Sequence, residues 1–159
     1  MIHIMAQVLT YEYVESFRRA RHSRDAQQIE PFLDDHVDWL LTGPVEFLHF
    51  CGQRYGKAEV LNCLTRQHPM VLGAFKVELT HILVEGERAA SLSRMTGIQR
   101  STGRTISYNQ AQFLRFRDGK IVVYRGIIDS FNAAEQIIGH SIELPKSLGV
   151  PSDGDLVAI

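Results

Sequence analysis

The chain has 159 residues, enough for one domain with a hydrophobic core of its own at about 100–200 residues per domain. A make-up of 45% hydrophobic, 22% charged and 9% aromatic residues is that of a globular protein rather than a disordered one. With 17 Lys and Arg against 18 Asp and Glu, a net charge of −1 and no basic run, the sequence argues against a nucleic-acid partner. No stretch reaches the ~18 consecutive apolar residues of a membrane helix. The opening Met1–Ala6 lacks the basic start and apolar run of a secretion signal, so a cytoplasmic location is expected. Cys51 and Cys63 fit a reducing compartment and form no metal signature.

The first third reads as helix. Tyr11, Val14 and Phe17 recur at three-residue spacing, with Glu12, Glu15, Arg18, Arg19 and Arg21 on the other faces. Asp25 is a candidate N-cap for a short helix from about Ala26 to Leu33, interrupted or ended by Pro31. Asp34-Asp35 breaks the pattern, and 36–41 reads as a strand stopped by Gly43-Pro44. A loop rich in Gly and aromatics spans Val45 to Tyr55, and a helix then runs from Gly56 to about His68, stopped by Pro69. From Val71 four segments rich in Val, Ile, Thr, Phe and Tyr follow, at about 71–84, 87–100, 105–117 and 120–129. Hairpin signals separate them, Asp118-Gly119 being the strongest. Asn132 to Ile138 reads as a closing helix with Gly139 as its stop.

Helices first and strands last define an α+β fold, with N-terminal helices packed on a curved, mainly antiparallel sheet. Residues 1–144 are expected to form that one domain and 145–159 a C-terminal tail. A meander bent around helices makes a cone with an apolar interior and a solvated mouth, a natural small-molecule site.

Particular residues then carry a likeness: Phe17, Ala20 and Arg24-Asp25; Phe32 to Val37; Gly52, Tyr55-Gly56-Lys57 and Val60; Phe113 to Ile121; and Tyr124-Arg125 with Asp129. On these the chain, from about residue 8 to 139, resembles the SnoaL-like branch of the NTF2-like superfamily, which has the cone-shaped α+β barrel of ketosteroid isomerase and limonene epoxide hydrolase. The resemblance implies a homodimer formed through the outer sheet face, here bearing Ser107, Asn109, Ala111, Phe113 and Arg115. Matched without gaps, the three working positions of ketosteroid isomerase fall on Phe17, Leu40 and Gln112. Phenylalanine cannot donate a hydrogen bond and leucine cannot take a proton, so that mechanism is absent. The arginine of limonene epoxide hydrolase corresponds to Arg94, but its two aspartates fall on Thr96 and Gly126. The acid/base aspartate of SnoaL-type polyketide cyclases falls on Asp129.

Whether Asp129 enters the cone depends on Gly126. Plain alternation from an inward Tyr124 puts Asp129 outside, whereas a bulge at Gly126 would turn it in. The competing role for Asp129 is a cap on the closing helix. His36 and Asp38 share one strand face, the one that lines the cone in relatives, and form a second acid/base candidate; a salt bridge from Asp38 to an arginine is the alternative. Trp39 would then pack on the other face. Tyr108, Gln110 and Gln112 alternate onto a face that ends in Leu114 and Phe116, as expected of groups that hold a ligand oxygen inside apolar walls. Arg94 and Tyr124 join them as substrate contacts, with Phe17 and Leu40 lining the same pocket. No cofactor or metal is expected, since neither a Gly-rich phosphate loop nor an HExxH pattern occurs. The reading is a small-molecule-binding protein, either an acid/base isomerase or cyclase for an apolar oxygenated substrate, or a non-catalytic ligand-binding or dimerising module.

Overall fold

Residues 8–145 are described by a computed structural model, and the expected tail lies outside them apart from Pro145. The N-terminal segment folds as α1 (Tyr11–Ser23), α2 (Ala26–Ile29) and a 3₁₀ turn over Glu30–Phe32. Thr10 caps α1 by accepting from the Tyr13 backbone N–H at 3.2 Å, and Asp25 caps α2 through Gln27 at 2.9 Å. Pro31 ends the helical path one turn early, so Leu33 already opens β1 (Leu33–Thr42), and Asp34-Asp35 lie within the strand instead of breaking it.

The loop expected over 45–55 contains a short strand, β2 (Gly52–Tyr55), paired antiparallel to β1. The long helix expected from Gly56 is three pieces: α3 (Lys57–Asn62), a π-turn over Cys63–Gln67 and α4 (His68–Val71). Pro69 does not stop this path. It sits in the first turn of α4, where its missing N–H is no loss, and the wider π-turn before it bonds His68 N–H to Cys63 O.

The strands that follow are β3 (Leu72–Glu85), β4 (Arg88–Gln99), β5 (Thr105–Arg117) and β6 (Lys120–Ile128), closed by α5 (Ser130–Ile138). Asp118 and Gly119 turn between β5 and β6 at φ 50° and 73°, the left-handed pair that a two-residue hairpin requires. The six-stranded sheet has the order β2-β1-β6-β5-β4-β3 and is mixed, because β1 runs parallel to β6 while every other pair is antiparallel. It curves around the helices without closing.

Alternation sets the two faces, apart from one register shift that changes the parity of β6 between Ile121 and Tyr124. On β5 the even positions Ile106 to Phe116 are buried and the odd ones turn out; on β6 Ile121, Tyr124, Gly126 and Ile128 are buried. Helix α1 lays Val14, Phe17 and Ala20 onto this concave face. Phe17, at 1% exposure, packs edge-tilted on Phe32 in the core, and a buried aromatic of that kind contributes roughly 1.5–3 kcal/mol.

On β1 the inward residues are Leu33, Val37, Trp39 and Leu41. The faces are therefore the reverse of those expected: Trp39 enters the core, while His36, Asp38 and Leu40 turn away from it. The strand's own pattern explains this, because 33, 37, 39 and 41 are apolar while 34, 36 and 38 are polar.

Candidate functional site

Beneath α1 the concave face holds a cavity of about 240 Å³, a little under the ~300 Å³ at which ligand pockets begin. Leu64, Phe75, Val77 and Met95 give it apolar walls; Ser93, Gln110 and Gln112 enter from β4 and β5, and His68 from α4. Arg18, Arg19, Arg21 and His22 approach from α1, and among the described residues no Asp or Glu lines it.

Arg21 organises the polar side. Four residues after Phe17, it lies on the inner face of α1. Its Nη1 donates to Gln112 Oε1 at 3.1 Å and to the Tyr124 hydroxyl at 3.0 Å. Gln110 Nε2 donates to the same hydroxyl at 2.8 Å, and Gln112 Nε2 donates to Ser91 Oγ at 2.9 Å. Under Arg21 the rings of Tyr124 and Trp39 stack face to face, and the guanidinium carbon lies 5.5 and 5.7 Å from their centroids. Burial raises the Tyr124 and Tyr108 phenols above their ordinary pKa; at Tyr124 the Arg21 charge works against that shift without reversing it. Both remain protonated at neutral pH. The hydroxyls of Tyr108 and Ser93, each 2% exposed, find no partner among the described residues.

His68 is fixed from behind. Arg24 sits at φ 58° in the left-handed cap of α1 and donates to the carbonyls of Leu72 and Gly73 at 2.9 and 2.7 Å. Its Nη2 also lies 3.2 Å from His68 Nδ1. A guanidinium only donates, so Nδ1 accepts and the imidazole proton resides on Nε2. Burial, with the Arg21 and Arg24 charges, takes the His68 pKa down to about 3, so the ring is neutral. Burial also lowers His22, and it pushes Cys51 up to about 12 and raises Cys63, leaving both thiols unreactive.

The sequence candidates divide sharply. Gln110 and Gln112 line the cavity, and Tyr124 joins them through Arg21; Tyr108 is buried on the same face. The others lie elsewhere. Asp129 is exposed and accepts from the Asn132 N–H at 3.3 Å as the N-cap of α5. Gly126 carries no bulge, since the β5–β6 register runs unbroken from Arg115 to Ile128 and shifts only between Arg115 and Phe116. A Cβ at Gly126 would lie 2.6 Å from Leu41 Cδ1 and 2.9 Å from the Tyr124 hydroxyl, so this glycine makes room for the Tyr124 ring. Asp38 pairs with Arg125 on the outer face, where Gln53 also donates to it at 2.7 Å. The neighbouring Arg125 guanidinium holds the Asp38 carboxyl below the usual carboxylate range. His36 and Arg94 are exposed on that face, Leu40 is partly so, and Phe17 belongs to the core. Arg21, His68 and Ser93 carry little signal in the sequence: an arginine on an amphipathic helix looks like a solvated residue, and only its spacing from Phe17 signals otherwise.

The assembled groups are donors: a guanidinium, an imidazole N–H, amides and hydroxyls. Among the described residues no carboxylate faces the cavity; of its two imidazoles, His68 presents its protonated nitrogen and His22 stands at the α1 side. The arrangement can hold an oxygen-bearing molecule against apolar walls, and the proton acceptor it offers is the His22 imidazole, which burial keeps neutral, rather than a carboxylate.

The SnoaL-like domain model matches residues 14–124, and the chain belongs to the SnoaL-like family. A crystal structure from Rhodopseudomonas palustris that bears a provisional isomerase name is similar at TM-score 0.76 and 29% identity, over 83% of this chain and 100% of that one. TerC, crystallised with polyporic acid, is similar at TM-score 0.69 and 20% identity, over 80% and 96% of the two chains. An LEH-like epoxide hydrolase from M. tuberculosis follows at TM-score 0.64 and 17% identity, over 80% and 88%. The last two likenesses concern the fold alone. Among proteins of curated function, none matches the sequence significantly. No helix among the described residues is long and apolar enough to cross a membrane.

Proposed function

We propose that this protein binds a small, largely apolar, oxygen-bearing molecule in the cavity beneath α1, without acid/base chemistry by a carboxylate. The observation that carries this reading is the lining itself: apolar walls on one side, hydrogen-bond donors around Arg21 on the other, and no Asp or Glu among the described residues. Asp129, Asp38 and His36, which would make it an isomerase or cyclase, all lie outside that cavity. Thermal-shift measurements against small aromatic and aliphatic ketones, acids and amides test the proposal. Binding adds about 2.7 kcal/mol of stability at a hundredfold excess over Kd and so raises Tm, and Val77→Trp, which fills the cavity, abolishes the response. A Val77→Trp variant that responds as strongly as the parent overturns the assignment.

The 29% identical R. palustris structure, with its provisional isomerase name, supports a second reading in which the bound molecule is also isomerised. Deuterium exchange from solvent into a bound ketone at the carbon next to its carbonyl, followed by NMR, separates the two readings. The binding reading predicts exchange no faster than in buffer.

The outer sheet face supports a homodimer. Leu92, Ala111 and Ile127 stand side by side across β4, β5 and β6, with Phe113 one pair along. Ile127 is 61% exposed, unusual for so large an apolar residue in a sheet centre. Ile127→Lys would shift sedimentation from dimer to monomer.

A further inference from the structure

We infer that the molecule bound in the cavity is a small carboxylate, held side-on by the free edge of Arg21. This rests on the ligand-binding reading above and adds the chemical class of the ligand. Arg21 has five N–H groups. Both of those on Nη1 are committed, to Gln112 and to Tyr124. Nε and Nη2, the parallel pair that a carboxylate meets bidentately, have no partner among the described residues. Among the described residues no counter-charge stands there, because no Asp or Glu of theirs lines the cavity.

Two further groups point the same way. Ser93 lines the cavity, is 2% exposed, and has a hydroxyl without a partner among the described residues, a buried polar group that a ligand oxygen would satisfy. His68 lines the cavity too, and Arg24 has consumed its Nδ1, leaving the Nε2–H free to donate. Arg24 is thus a positioning residue that sets the tautomer of His68. Gln110, paired with Ser93 across the β4–β5 ladder, and Gln112 hold the Arg21–Tyr124 frame from below. Apolar walls on the remaining sides suit the aryl or alkyl body of such an acid. Arg19 on α1 adds positive potential at the rim, which draws anions in, whereas Arg18 is paired with Glu15 at 2.7 Å.

The test compares acids with their neutral amides: phenylacetate with phenylacetamide, and hexanoate with hexanamide. Trp39, the single tryptophan of the chain, lies under Arg21 and reports binding by its fluorescence. The acid is expected to bind about tenfold more tightly than its amide in the parent protein, and in Arg21→Gln the two bind within about twofold of each other. Circular dichroism confirms that the variant is folded, and the parent comparison stands even if it is not. Equal affinity for acid and amide in the parent overturns the carboxylate assignment while leaving ligand binding in place. A preference for the acid that survives in folded Arg21→Gln overturns the role of Arg21. Failure of every probe to bind overturns both the carboxylate and the ligand-binding reading.

Discussion

Trp39 and Tyr124 stand opposite each other on parallel strands β1 and β6 and stack with centroids 3.6 Å apart and planes 4° from parallel. That pair is the floor on which the polar side of the cavity is built. Tyr124 gives its hydroxyl to Arg21 and Gln110, and Trp39 gives the guanidinium a second aromatic face. Tyr124→Phe keeps the stack but leaves two donors unpaired, which costs about 1–3 kcal/mol; Trp39→Ala removes the floor and costs about 3–5 kcal/mol. Urea denaturation read by far-ultraviolet circular dichroism measures both.

Gly126 owes its identity to the same stack. Gly126→Ala places a methyl against Leu41 and the Tyr124 hydroxyl, and overpacking of this kind costs about 1–3 kcal/mol. The measurable signature is a loss of stability accompanied by weaker probe binding, because Tyr124 can no longer hold Arg21 in place.

Asp129 behaves as a helix cap. Asp129→Ala is expected to lose about 1 kcal/mol of stability, and Asp129→Asn much less, since asparagine caps equally well. Neither changes the affinity of the cavity for its ligand. Parallel thermal melts and binding titrations check both halves of that statement.

The pH dependence of stability carries a mark from His68. Its folded pKa of about 3 lies below the ordinary value of 6.5, so between those values the unfolded chain binds a proton that the folded one refuses. Stability from this residue therefore falls as pH drops from about 6.5 toward 3 and is complete above that window. His68→Gln flattens this part of the acid limb in denaturation curves taken from pH 7 to pH 4. The Asp38–Arg125 pair acts in the same direction at lower pH, because its carboxyl is held down in the folded state and loses its stabilising charge as it protonates. With both side chains more than a third exposed, Asp38→Asn costs only about 0–1 kcal/mol at neutral pH.

The C-terminal meander was plain in the sequence because each strand there has one buried face, so even positions on β5 spell out the core and Asp118-Gly119 announces the turn. The caps at Asp25 and Gly139 were legible for a similar reason, since each depends on a local bond or backbone angle. On β1 the residue pattern and the register implied by the resemblance disagree. Relatives suggested an inward Asp38, while the apolar residues at 33, 37, 39 and 41 demanded the opposite face, and burial of Trp39 decided it. Strand β2 escaped notice because four residues beginning with glycine carry too little alternation to register. Arg21 and His68 were illegible on physical grounds: they meet only through the tertiary packing of α1 and α4 over β3, and their sequence surroundings resemble any solvated helix.

The most direct test is a crystal structure of the protein grown with phenylacetate. The account predicts its carboxylate about 3 Å from Nε and Nη2 of Arg21, with the ring among Phe75, Val77 and Met95. A probe seated elsewhere, or a cavity closed by its own side chains while the acid remains in solution, contradicts it.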